Sequence, residues 1–132
     1  MDELIKYNDN VESLIYEIRG KQVMLDSDLA RLYECKNGTK TINLAVKRHK
    51  DRFPKDFCFQ LLEEEYNKLR FQIETANSMS SSLPHVFTEQ GLAMLATILK
   101  SKIAAQTSIK IMYAFVAMRK YIGNIVELVL IK

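Results

Sequence analysis

Tryptophan is absent from the 132 residues, and cysteine and histidine occur only twice each. Cys35 and Cys58 are too few and too isolated for a disulfide framework. His49 and His85 do not stand with them at metal-ligand spacing. Both thiols are therefore expected to be reduced, in an intracellular, cytoplasmic protein with no metal and no cofactor. A signal peptide is not expected either, because Met1-Asp2-Glu3-Leu4-Ile5-Lys6 places acids where basic residues and an apolar run are needed. The most apolar stretch, Ile109 to Ile131, is broken by Lys110, Arg119, Lys120 and Glu127, so no membrane association is expected. No internal repeat is present.

Hydrophobic residues make up 48% of the chain, enough for a real core, with Tyr, Phe and Met replacing the missing tryptophan. The length suits one domain, and such a domain buries somewhat over ~60% of the surface of its unfolded chain. Disorder is not expected for the body of the chain. The net charge of +3 is unevenly spread. From Lys36 to Lys55 seven basic residues face one acid, Asp51, so a +6 segment sits in a chain that is otherwise at −3. Such concentration suits a localised polyanion footprint, although a charge run is more often only a solvated face.

Residues 1–10 are polar and expected to fray. Leu14 to Arg19 and Gln22 to Leu25 are β-rich around Gly20-Lys21, which predicts a small hairpin. Asp26 or Ser27 can cap a first helix carrying Leu29, Ala30, Leu32 and Tyr33, stopped by Asn37-Gly38. Thr39 can cap a second helix running to about Asp51 or Arg52, ended by Pro54. Alternation over Asp56 to Leu61 predicts a strand, and Glu63 to about Glu74 a polar helix with Tyr66, Leu69 and Ile73 as its apolar stripe. Asn77 to Ser82 suits a loop, and Leu83 to Phe87 a short strand. Thr88 can cap a helix through Leu99, and a long helix follows from about Ile103 to Leu128. The expected fold class is α+β: one helix-dominated domain with a small hairpin and strands, a helix-turn-helix-like unit and a long C-terminal helix.

The two short helices around Asn37-Gly38 carry the candidate function. The second has Ile42, Ala45, Val46 and His49 on one face, with Phe53 just beyond. Its remaining surface presents Lys40, Thr41, Asn43, Leu44, Lys47, Arg48 and Asp51. Lys40, Leu44 and Lys47 share one row, and Thr41 and Arg48 the next. A DNA recognition helix needs this arrangement, with apolar residues to seat it and donors facing phosphates and base edges. Lys40, Thr41, Asn43, Lys47 and Arg48 are the expected DNA face, since Asn pairs bidentately with adenine and Arg with guanine. Lys36, Lys50, Arg52 and Lys55 are the expected phosphate contacts. The turn is longer than in the tightest helix-turn-helix units, and a merely solvated cationic helix is the competing reading. His49 is expected to be a partly buried packing residue.

Several motifs in order resemble the KilA-N-like, ORF-six-N-type domain of phage, prophage and bacterial proteins. They are Ile15 to Leu25, Asp28-Leu29-Ala30-Arg31-Leu32-Tyr33, Ala45-Val46-Lys47-Arg48, Arg52 to Phe57, Phe59-Gln60-Leu61, Phe87-Thr88-Glu89-Gln90-Gly91 and Ala93-Met94-Leu95. The resemblance spans about Val11 to Tyr121. It implies a DNA-binding module over residues 11–121, of the kind found at the start of phage regulators and antirepressors. Family members commonly place a Gly- and Arg- or Lys-rich stretch before the Leu-Pro and Phe-Thr-Glu-Gln-Gly motifs. Here Asn77-Ser78-Met79-Ser80-Ser81-Ser82 carries no positive charge there, so phosphate contacts from that loop lose their cations.

Enzymatic activity is not expected. Glu63-Glu64-Glu65 diverge around a helix rather than converge on a nuclease metal, and fit a solvated helix start. Neither cysteine has an evident base. Thr88 and Glu89 fit a helix cap and first turn better than a catalytic motif. The apolar pattern of the last helix continues through Ile122, Ile125, Val126 and Val129, more than a core of this size can accept. Residues 122–132 are therefore expected either to pair with a second copy, giving a homodimer with two recognition helices, or to lead into a further domain. The competing function is a protein-interaction module of antirepressor type, working through this helix on a protein partner. A metal-dependent nuclease is the least favoured.

Overall fold

A left-handed two-residue turn starts the fold. In the computed structural model, residues 11–72 and 82–131 are described, with backbone only for 72 and for 121–131. A short 3-10 turn, Val11–Leu14, leads into β1 (Tyr16–Ile18) and β2 (Lys21–Leu25). Arg19 and Gly20 join these strands with φ of 58° and 74°, the type I′ geometry whose twist matches a hairpin. The turn thus lies one residue earlier than Gly20-Lys21. Arg19 accepts the left-handed backbone with its side chain held in place: its guanidinium binds both carboxylate oxygens of Glu65, at 2.8 and 3.0 Å. It also stacks 4.3 Å from the Phe59 ring centroid.

The remaining elements are α1 (Asp26–Leu32), α2 (Thr39–Arg48), β3 (Cys58–Gln60), α3 (Glu63–Gln72), β4 (His85–Thr88), α4 (Glu89–Ile98) and α5 (Lys102–Ile131). The architecture is α+β, helix-dominated, with a four-stranded antiparallel sheet of order β1-β2-β4-β3. Period-two alternation sorts the side chains. Met24, Phe87 and Cys58 form one cross-strand row, and Leu25, Val86 and Phe59 the row beside it. The first row faces a core completed by Leu29 and Ala30 of α1, Ile42 of α2, Leu92 and Leu95 of α4, and Ala104, Ile111, Ala114 and Phe115 of α5. The second row joins Ile18, Val23, Leu61 and Leu69, with Tyr66 packed against them, so α3 covers the opposite face. Cover on both faces explains why β2 is buried from Val23 to Leu25 and β4 from Val86 to Thr88.

Helix ends depart most from the sequence expectations. The chain enters α1 directly from extended Leu25, which has no side-chain cap. Neither Asp26 nor Ser27 fills that role; Asp26 is the first helical residue and turns inward. α1 stops at Leu32 rather than at Asn37-Gly38. Glu34 takes φ 57°, while the N–H groups of Cys35 and Glu34 donate to Ala30 O at 2.9 Å and Arg31 O at 3.1 Å. This is a Schellman termination with glutamate at the left-handed position that glycine usually takes. The end is also pinned from outside, because Tyr33 Oη and Ser108 Oγ of α5 lie 2.6 Å apart in the core.

Gly38 begins the second helix instead of ending the first. Its φ of 64° and ψ of −147° fall in a region essentially reserved for glycine, and it occupies the cap position assigned to Thr39 by sequence. α2 ends at Arg48, earlier than Asp51 or Arg52, and a 3-10 turn Lys50–Arg52 follows. This break delivers Phe53 to the core, where its ring meets Phe87 edge-on at 6.1 Å.

β4 reaches Thr88, one residue beyond the expected Phe87. Thr88 caps α4 as anticipated, its Oγ1 accepting from Gly91 N–H at 3.2 Å. The same hydroxyl donates to Asp56 O at 2.8 Å, and Thr88 N–H donates to Phe57 O at 3.1 Å. α3 opens with Glu65 Oε1 accepting the Leu62 N–H at 2.7 Å, half of a capping box. Glu65 is therefore a structural acceptor rather than part of a purely solvated start. α5 runs for 30 residues, about 45 Å at helical rise. Its Arg119 is ion-paired with Glu89 of α4. Among the described residues no helix is long and apolar enough to cross a membrane. Residues 1–10, Ile73, Glu74 and Asn77 to Ser81 lie outside the described residues, as do the side chains of Ile122, Ile125, Val126 and Val129.

Candidate functional site

α2 is seated by its apolar face. Ile42 is fully buried, and Ala45 and Val46 are half-buried against the same core. His49 is half-buried at the C-terminal end, its Nδ1 lying 3.0 Å from Ala45 O, consistent with a packing role. This seating leaves Lys40, Leu44, Lys47 and Arg48 exposed on the opposite side. Lys40, Leu44 and Lys47 recur at i, i+4 and i+7, so they form one row along the helix. Lys50 and Arg52 continue the basic surface on the 3-10 turn, Lys55 follows Pro54, and Lys36 stands on the turn before α2; all are exposed. None of these seven cations forms an ion pair with another described residue. Exposed and without an internal counter-ion among the described residues, they are placed to meet an external anion.

Thr41 and Asn43 differ from the lysines. Both are half-buried. Asn43 Nδ2 donates to Asp26 Oδ2 at 3.3 Å. The same carboxylate oxygen accepts the backbone N–H of His85 at 3.0 Å, and the His85 ring Nδ1 stands 3.9 Å away. Asp26 is only 3% exposed. Burial raises its pKa above the usual carboxylate range, partly offset by the hydrogen bonds from His85 and Asn43. Beside it, burial likewise raises the pKa of Asp28, opposed by Arg31, whose guanidinium lies 3.3 Å away. Both acids lie in the first turn of α1, where the helix dipole favours negative charge.

This acidic junction was not legible as a site. Asp26 follows a β-rich run and precedes a helical one, the position of an ordinary N-cap, and no periodicity announces that β4 will bring His85 to it. The Cys58 thiol is pushed up to about 12 by burial and then by the Asp26 charge, and burial also raises the pKa of Cys35. Among the described residues, no group of three His, Cys, Asp or Glu side chains is gathered as a metal ion would require.

The arrangement offers an exposed cationic helix seated on the core, with Asn43 tied to Asp26 at its inner edge. No curated protein and no solved structure matches the chain. The ORF6N domain matches it over residues 13–98, from the turn before β1 to the end of α4, and the chain therefore belongs to the ORF6N domain family.

Proposed function

We propose that the protein is a DNA-binding domain of a phage- or prophage-type regulator, docking α2 on duplex DNA as its recognition helix. ORF6N is a phage-type family compatible with a regulatory, DNA-binding role. The observation that carries the reading is the exposed cationic face of α2, the row with Lys40 and Lys47 and beside it Arg48, continued by Lys50, Arg52 and Lys55 and without an ion pair among the described residues. In this reading α1 and α2 act as a helix-turn-helix-like unit. The exposed cations bind phosphates and base edges, and Lys36 adds a contact from the turn. Thr41 and Asn43 border the groove-facing row. No enzymatic step and no cofactor enter the mechanism. Fluorescence anisotropy with a labelled random-sequence duplex at low salt tests it. Binding that weakens by about tenfold or more in the Lys47→Ala plus Arg48→Ala variant is expected from the loss of two charge contacts. An unchanged affinity in that variant refutes the reading.

A second reading is favoured by α5. Ile109 and Tyr113 are 56% and 71% exposed, on the side opposite Ile111 and Phe115. We infer that this helix pairs with a second copy, which would set two α2 helices on one duplex. In the antirepressor-type alternative, the same surface would engage a protein partner instead. A cytoplasmic location fits both.

A further inference from the structure

We propose that Asp26 is a positioning residue for the DNA-contacting helix, setting the orientation of α2 through Asn43; this rests on the DNA-binding reading above. The geometry that carries it is a three-way junction at one carboxylate oxygen. Asp26 Oδ2 accepts from Asn43 Nδ2 on α2 at 3.3 Å and from the His85 backbone N–H at the start of β4 at 3.0 Å. Asp26 itself belongs to the first turn of α1. One buried atom thus joins two short helices to a central strand.

The other restraints on α2 are less directional. Its apolar seat is a single fully buried residue, Ile42, with Ala45 and Val46 only half-buried. Such packing permits rotation of a ten-residue helix about its own axis. Its preceding turn, Glu34 to Gly38, contains two residues at positive φ and fixes where the helix begins rather than which way it faces. The contact at Asn43 fixes the facing. Asn43 lies between Lys40 and Lys47 in the same continuous helix, so rotation about the axis that broke this contact would turn the whole lysine row away from its present facing. The acceptor is held on the other side by the His85 N–H, so it resists such rotation because the half-buried Asn43 amide would lose its partner. In this account Asn43 acts inward, as a tether, rather than outward on a base.

The test uses the full chain with Asp26→Ala, Asp26→Asn, Asn43→Ala and the double variant Asp26→Ala plus Asn43→Ala. Binding to the labelled duplex is measured well below the melting temperature of each. Asp26→Ala is expected to weaken binding by about tenfold, Asp26→Asn by less than about threefold because its amide oxygen remains an acceptor, and the double variant no more than Asp26→Ala alone. If Asp26→Ala does not fold, Asp26→Ser replaces it with the same expectation. Unchanged affinity in the folded Asp26 variant, or additive losses in the double variant, overturns the proposal; the latter would make Asn43 a direct contact. If the wild-type chain binds no duplex, the DNA-binding reading fails separately, and hydrogen exchange of the α2 amides decides the anchor. Faster exchange in Asp26→Ala than in Asp26→Asn supports it, and equal exchange overturns it.

Discussion

Replacing Gly91 by alanine should be among the most damaging single changes in this chain, though it adds one methyl group. Gly91 lies in the first turn of α4, directly over the turn that precedes β3. A Cβ built there would stand 1.9 Å from Phe57 O and 2.7 Å from Phe57 C. Both atoms are backbone, so no rotamer change relieves the overlap. Restoring ordinary contact would need about 1.5 Å of separation between α4 and that turn. Two hydrogen bonds cross the same gap, one from Thr88 N–H to Phe57 O at 3.1 Å and one from the Thr88 hydroxyl, shared between Asp56 O at 2.8 Å and Phe57 O at 3.3 Å. Overpacking of this kind costs about 1–3 kcal/mol, and each lost hydrogen bond adds about 1 kcal/mol. A total near 3–5 kcal/mol is a large part of the ~5–15 kcal/mol that holds a domain folded. The melting temperature should fall by roughly 10–20 °C, measured by circular dichroism. Gly38→Ala is the control: nothing lies within 4 Å of its added Cβ, so only the backbone strain of about 1–3 kcal/mol remains. A Gly91→Ala protein that melts within about 3 °C of wild type would refute the reasoning.

Asp26→Ala should cost about 2–3 kcal/mol in urea titration at neutral pH, because it strands the His85 N–H and the Asn43 amide. Asp26→Asn should shift the pH dependence. The carboxyl's folded pKa lies above its unfolded one, so the penalty for charging it is absent at acid pH and develops as pH rises through that window. The asparagine variant should therefore gain on wild type with rising pH; a gain that shrinks with rising pH would contradict the sign. Tyr33→Phe should cost about 1–2 kcal/mol by leaving Ser108 unpaired in the core, and an unchanged denaturation midpoint would count against that bridge between α1 and α5. Ile109→Asp plus Tyr113→Asp should leave melting within a few degrees of wild type, since both side chains are exposed, yet shift sedimentation from dimer to monomer. A wild-type chain that sediments as a monomer at all concentrations would end the self-association reading.

The elements were largely legible in the sequence because their causes are local. Alternation marked β3, the β-rich runs around a turn signal marked β1 and β2, the Thr88 cap marked α4, and helical spacing marked the seat of α2 at Ile42. The misplacements share a different cause. α1 ends at Leu32 because Tyr33 is pinned by Ser108, 75 residues away, and α2 ends at Arg48 because Phe53 must reach Phe87. Neither partner is visible from a local window. The candidate site divides in the same way. The exposed cations of α2 follow from spacing and charge, whereas the Asp26 junction exists only once the β2–β4 pairing brings His85 beside α1.

The central claim is that the α2 face engages a polyanionic backbone, and the salt dependence of duplex binding tests it most directly. Each phosphate neutralised contributes about 0.9 to the slope of log K against log salt. With Lys40, Lys47, Arg48, Lys50, Arg52 and Lys55 exposed on and beyond α2, the account predicts a slope of about −5, reduced in magnitude by about 2 in Lys47→Ala plus Arg48→Ala. A slope near zero, or one that the double substitution leaves untouched, would contradict it.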